Sequence, residues 1–356
     1  MSVISVIILC FSLLGAADYL FGNRLGLGGE FKRGLSLFCP MALSMLGMLV
    51  LAPAIGAWIS PVLAGLGALG LDPSIVPASL FANDMGGTAL SQALCATKEM
   101  GDYNAFVVSS MMGCVISFTI PFALGLVPTA RRGDFFLGTL CGIATIPVGC
   151  LLAGVMCGLS PGALLLNLLP LVLLALLVGA ALLLFPKAAM RCFEVFGLFM
   201  KALAVIGLAL AIFTHLSGVT VDENLDTLEN AALVCVRAAV TLSGALPMMY
   251  AVTRLLRRPL TLLGGRIGIN DTATLALLGS LVTNASTCGV IERMDRRGVV
   301  LNSAFAVSAS FVLGSHLAYT MACDPAYVLP MAVGKLTSGI AALLLALLVL
   351  KKRPVA

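Results

Sequence analysis

The sequence predicts an all-α polytopic membrane protein: about nine transmembrane helices plus two re-entrant hairpins, arranged as an inverted repeat. Three observations carry that prediction. The 356 residues are 60% hydrophobic and only 10% charged, whereas about a quarter of the residues of a soluble chain are charged. Apolar runs follow one another with short polar connections, and a run such as 164–185 stays apolar over the ~20 residues a helix needs to cross a bilayer. Strands of an outer-membrane barrel would alternate instead. The third observation is where the basic residues fall, and it is the one that calls for hairpins.

In order, the runs are 2–21, 35–59, 74–97, 105–127, 135–157, 163–185, 192–215, 231–255, 272–291, 299–322 and 327–350. If all of them cross, the flanking Lys and Arg divide 10 to 8 between the two sides. Letting 74–97 and 272–291 enter and leave on one side changes this to 17 against Lys98 alone, with Lys201, Arg237 and Lys335 inside spans. Basic residues gather in cytoplasmic loops, so the hairpin scheme is preferred, with the N-terminus outside and the C-terminus cytoplasmic. Positive charges (Arg24, Lys32, Arg33) follow the first apolar run rather than precede it, which points to a retained span rather than a cleaved signal peptide.

The same scheme exposes a repeat. Each hairpin has two spans before it and two after it, and the hairpins begin 198 residues apart. Residues 79–83 (SLFAN) are echoed by 280–284 (SLVTN), and 109–113 by 310–314. Residues 1–158 form the first repeat, 159–190 a connecting span and 191–356 the second repeat. Inverted repeats with a broken segment at matching positions mark secondary transporters whose site lies near the midplane.

The first hairpin tip runs Phe81-Ala82-Asn83-Asp84-Met85-Gly86-Gly87-Thr88. A lipid-facing carboxylate costs roughly 2.5–3.5 kcal/mol, so Asp84 is expected to face a wet cavity or to cap a kink. Gly86 and Gly87 each cost a helix about 1 kcal/mol and predict a break, with Thr88 suited to cap the second half-helix. Unwound backbone at this depth is tolerated where it lines a cavity or is buried in protein. The counterpart tip, Thr283-Asn284-Ala285-Ser286-Thr287, offers hydroxyls and an amide without charge. One carboxylate among neutral hydrogen-bonding groups suits a small solute with a cationic head and a polar tail. The candidate substrate-binding residues are therefore Asn83, Asp84, Thr88, Thr283, Asn284, Ser286, Thr287 and His316, with Gly86 and Gly87 as hinge positions. His316 could relay protons or simply bond a carbonyl. Lys335 reads as paired with a buried acid or snorkelling, and Asp18 as structural.

Several function classes find no support in the chain. There is no phosphate-cradling G-x-x-x-x-G-K-[ST] loop and no H-E-x-x-H zinc pair, and two histidines with scattered acids give no catalytic cluster. The eleven cysteines contain no C-x-x-C pair and read as small core residues, so neither metal nor cofactor is expected. The net charge of +5 is explained by loops beside spans and implies no nucleic-acid partner.

Further motifs give the chain a likeness. Gly15-Ala16-Ala17-Asp18, Ala82-Asn83-Asp84-Met85-Gly86-Gly87, Ser110-Met111-Met112-Gly113, Thr145-Ile146-Pro147-Val148-Gly149-Cys150, Thr283-Asn284, Met294-Asp295-Arg296-Arg297-Gly298 and Ala304-Phe305-Ala306-Val307-Ser308 resemble, in order, the EutH family. The resemblance implies an ethanolamine permease of the bacterial cytoplasmic membrane, feeding a cobalamin-dependent ammonia lyase housed in microcompartments. Where that family often has Gly-Asp-His, this chain has Gly314-Ser315-His316. Ethanolamine, an ammonium with one hydroxyl, agrees with the site inferred from residue types. The expected partners are ethanolamine or a similar small amine and the lipid bilayer; a homo-oligomer is compatible with such a chain. Two other readings stand beside this one: an ion-coupled carrier of another small polar amine or solute, and a non-transporting membrane sensor.

Overall fold

A computed structural model of the protein describes residues 3–352. Arg353, counted above among the cytoplasmic charges, lies outside them, as do the outermost residues of both repeats. Among the described residues every regular element is a helix, and eight helical stretches are long and apolar enough to cross a membrane. The α-helices are α1 (Val3–Leu20), α2 (Leu27–Ser36), α3 (Phe38–Leu63), α4 (Ile75–Leu80), α5 (Gly87–Leu94), α6 (Lys98–Tyr103), α7 (Ile120–Leu126) and α8 (Arg132–Met156). They continue with α9 (Pro161–Leu184), α10 (Pro186–Ser217), α11 (Leu228–Ile267), α12 (Asp271–Ser280), α13 (Asn284–Cys288), α14 (Arg296–Ala309), α15 (Ser315–Cys323) and α16 (Val328–Lys352).

The centre is built from α8, α14 and α16, which pack against one another over much of their length. Small residues make this possible: a methyl added at Gly149 would run into the Gly334 carbonyl, and one at Gly138 into that of Val300. Lipid tails are as apolar as leucine, so helix association in a bilayer relies on such close packing rather than on the hydrophobic effect. Leucines of α9 such as Leu165, Leu173 and Leu176 point outward, where a soluble protein would place polar groups.

Two segments fold back on themselves. In the first, α4 and α5 pack together across a break in which Phe81 and Ala82 are extended and Gly86 has φ +92°. Glycine takes that left-handed conformation without the steric cost a side chain brings, which is why the glycine pair breaks the helix here. The ends of the segment are tied by one carboxylate: Asp72 accepts from Ser74 N at 3.0 Å, Ala96 N at 3.1 Å and Thr97 N at 3.2 Å. In the second, α12 and α13 pack across a break at residues 281–283. Its ends are tied by Asn270, whose side-chain amide donates to Arg293 O at 2.8 Å and whose N–H donates to Asp295 at 2.9 Å. Asp295 also caps α14 through Gly298 N at 3.1 Å, so the Met294 to Gly298 motif has a structural use.

The base of the second segment lies beside the start of α8, where Arg296 pairs with Asp134 at 3.2 Å. The base of the first lies beside α9, where Asn104 bonds Asn167 at 2.8 Å and Ser74 at 2.8 Å. Between these two points the chain runs the length of α8, about 37 Å at 1.5 Å per residue, turns, and enters the first two turns of α9.

Two sequence expectations are corrected. Residues 27–34, read as a connection between spans, belong to α2, because Asp18 accepts from Leu25 N and Gly28 N, both at 2.9 Å, and fixes the turn out of α1. The run 299–322, read as one span, stops at Ala309 and resumes at Ser315. Phe311 has φ +62°, its N–H reaches Ser280 O at 3.1 Å, and Leu313 N reaches Leu281 O at 2.9 Å. The second folded-back segment thus satisfies backbone groups that the helix gives up, the condition under which a break is tolerated at membrane depth. The corresponding span after the first segment is continuous but loosened into π-helical turns over Asn104–Gly113 and Val115–Thr119.

Candidate functional site

A cavity of about 510 Å³ opens where the two tips meet. Its polar wall includes Asp84 on the first tip, Thr283 on the second, Ser315 and His316 in the first turn of α15, Ser44 of α3 and Cys114. Met45, Phe118 and Phe311 supply apolar wall, and Arg33 of α2, 59% exposed, stands at the open end. Asp84 reaches the cavity because the short turn Asn83–Met85 and the left-handed Gly86 swing its side chain out of the helix path. Its side chain keeps 14% exposure, against 2% for His316. Gly87 lets the tip lie against Ser109, where any Cβ would collide with that hydroxyl and with the Phe81 carbonyl.

Behind the cavity wall lies a chain of charged and polar groups. His316 Nε2 is 3.8 Å from Asp84 Oδ1, and its Nδ1 is 3.1 Å from the Lys335 ammonium, which also donates to the Ser110 carbonyl. Ser315 interacts with the same Asp84 carboxylate, and the Phe311 ring lies over the imidazole, with centroids 5.1 Å apart. An ammonium only donates, so with Lys335 charged and His316 neutral, Nδ1 accepts and Nε2–H points at Asp84. Lys335 is fully buried, which excludes the snorkelling alternative.

Of the eight residues read from the sequence, Asp84, Thr283 and His316 line the cavity. The others do not. Thr88 donates to Ala105 O at 3.0 Å and caps nothing, because Gly86 holds the cap position without a side chain. Ser286 donates to Thr283 O at 2.7 Å and Thr287 to Ala276 O at 3.2 Å, so both hydroxyls fasten their own segment. Asn284 reaches Thr119 at 3.0 Å, joining the second tip to the loosened helix. Asn83 is buried with both amide atoms unpartnered. Sequence reasoning assigned Lys335 to structure. A lysine in the middle of the run 327–350 was the available signal, but its partner His316 lies on another span and could not be read from spacing.

This fold and cavity define a multi-pass helical membrane protein with a single carboxylate at a central polar break, the layout of a transporter. The chain belongs to the EutH family: the family described as "Ethanolamine utilisation protein, EutH" matches residues 1–349. It is similar to the "Probable ethanolamine permease EutH" of Listeria monocytogenes, 36% identical over 341 residues that cover 96% of this chain and 91% of the relative. It is similar to the protein of the same description from Salmonella typhimurium, 34% identical over 95% of this chain and 90% of the relative. It is also similar to the "Uncharacterized protein YxeR" of Bacillus subtilis, 36% identical over 94% and 91%. No solved structure matches the chain.

Proposed function

We propose that the protein is a permease for ethanolamine, holding the cargo's ammonium on Asp84 between two re-entrant tips and passing it across by alternating access. The observation that carries the proposal is the placement of one carboxylate, with no basic side chain on either tip, on the wall of a cavity whose other lining groups are hydroxyls, a thiol, an imidazole, apolar side chains and the exposed Arg33, which pairs with Glu30. An ammonium pairs with that carboxylate, while the Ser315 or Thr283 hydroxyl takes the cargo's hydroxyl. The relatives' descriptions agree with this cargo.

An inverted repeat of residues 1–158 and 191–356 about the connecting span 159–190 is supported by matched contacts. Asn83 and Asn284, Phe81 and Val282, and Gly113 and Gly314 are pairs separated by the same 201 positions. Gly113 presses on the Phe81 carbonyl as Gly314 presses on that of Val282. The bases of the two folded-back segments lie toward opposite ends of α8, where Arg296 meets Asp134 and Tyr103 donates to the Cys150 carbonyl, about 24 Å apart at 1.5 Å per residue, which fits segments entering from opposite faces. With the basic loops cytoplasmic, the N-terminus lies outside and the exposed Arg33 on the cavity lining is on the inner side, which supports reading this conformation as inward-facing.

Purified protein in liposomes tests the function. Labelled ethanolamine should enter against a protein-free control, and Asp84→Asn should nearly abolish entry at unchanged protein content. Normal entry with that variant would remove Asp84 from the mechanism, and no entry with the wild type would favour a sensor.

A further inference from the structure

The proposed cargo brings a positive charge to a site that already holds one. Lys335 of α16 is fully buried and is not part of the cavity wall; its hydrogen-bonded link to the cavity is His316, which touches it on Nδ1 and faces Asp84 with Nε2. The other titratable groups acting on Lys335 are Cys150 of α8 and Cys114 between the two π-helical runs. Thiols are neutral near neutral pH and cannot balance an ammonium. On α14 the charged residues are Arg296 and Arg297 in its first turn, with Arg296 on Asp134, and α15 contributes His316. Asp84 is therefore the carboxylate that balances Lys335, and it is the same group the cargo needs. One carboxylate cannot compensate two buried cations, and a buried, uncompensated charge is costly. A buried lysine can give up a proton, whereas an arginine in the same place would keep its charge.

We infer that Lys335 is the proton-exchanging residue of the carrier: when an ammonium settles on Asp84, Lys335 loses one proton through His316, so that each amine bound expels one proton. The inference rests on the reading that the cargo's ammonium pairs with Asp84. In the step, a Lys335 N–H bond breaks as its proton passes to His316 Nδ1, while the proton on Nε2 leaves to cavity water. The lysine ends as a neutral amine, and the ring stays neutral with its proton moved from Nε2 to Nδ1. No other bond changes. On the far side the cargo leaves and the reverse relay reloads Lys335, making the cycle an electroneutral exchange of amine for proton.

Calorimetry of ethanolamine binding to the purified full chain, run near neutral pH in buffers of differing ionisation heat, counts the protons. Wild type should release about one per amine bound. Lys335→Met should bind without release, and about tenfold or more tightly because the competing cation is gone. Binding by wild type without proton release overturns this inference and leaves the Asp84 reading standing. Release that persists in Lys335→Met also overturns it, because the proton then comes from Asp84 or His316. Absence of any binding by wild type sinks the Asp84 reading and this inference with it. Should Lys335→Met fail to fold, liposome uptake by wild type decides: exchange predicts a rate indifferent to an imposed membrane potential, and a rate that follows the potential refutes it.

Discussion

Replacing Asp72 by Ala should loosen the first folded-back segment without unfolding the protein. Its carboxylate, 8% exposed, receives Ser74 N, Ala96 N and Thr97 N, together with the Ser74 hydroxyl at 2.6 Å. A hydrogen bond to a charged group contributes about 1.5–3 kcal/mol, but water can reach the exposed Thr97 side and recover part of that. The net loss should be about 3–4 kcal/mol, felt by residues 73–97 because the carboxylate is what joins their two ends. Hydrogen exchange with mass spectrometry reads it directly: amides of α4 and α5 should exchange about a hundred- to a thousandfold faster, while those of α8 and α16 stay protected. Ethanolamine uptake should fall in parallel, since Asp84 rides on that segment. Unchanged exchange over 73–97, or equal loss of protection across the whole bundle, would refute the idea that Asp72 clamps the segment.

Further outcomes follow from single positions. Gly86→Ala should cost about 1–2 kcal/mol through its φ of +92° and a methyl 2.7 Å from Met48 Cε, lowering both melting temperature and uptake. Asp295→Ala removes the α14 cap and the tie to Asn270, and should destabilise by about 1–2 kcal/mol in a thermal melt with cargo affinity nearly unchanged. Gly149→Val should prevent the α8 and α16 backbones from meeting and abolish folded protein in detergent, as size-exclusion chromatography would show. Thr88→Val should cost stability, because the buried Ala105 carbonyl loses its donor, yet leave ethanolamine affinity within about twofold.

The fold class was legible because composition and continuous apolar runs depend on the bilayer alone, and the broken segments because Gly86-Gly87 and the charge distribution betray them. The unwinding at Ser310–Gly314 was not legible. Phe311 carries no local signal for a left-handed turn, and its N–H is satisfied by Ser280 from a distant part of the chain. In the site, Asp84 announced itself as a carboxylate in an apolar run. Thr88, Ser286 and Thr287 qualify as binders by side-chain type alone, and type does not say which way a hydroxyl turns; each is claimed by a carbonyl. Lys335 lies at the opposite limit, since its partners His316 and Ser110 come from other helices and only the folded bundle brings them together.

A structure determined with ethanolamine bound would test the central claim most directly. The cargo nitrogen should lie about 2.8 Å from an Asp84 carboxylate oxygen, with its hydroxyl toward Ser315 or Thr283 at the junction of the two tips. Cargo seated elsewhere, with Asp84 still turned only toward His316, would contradict the account.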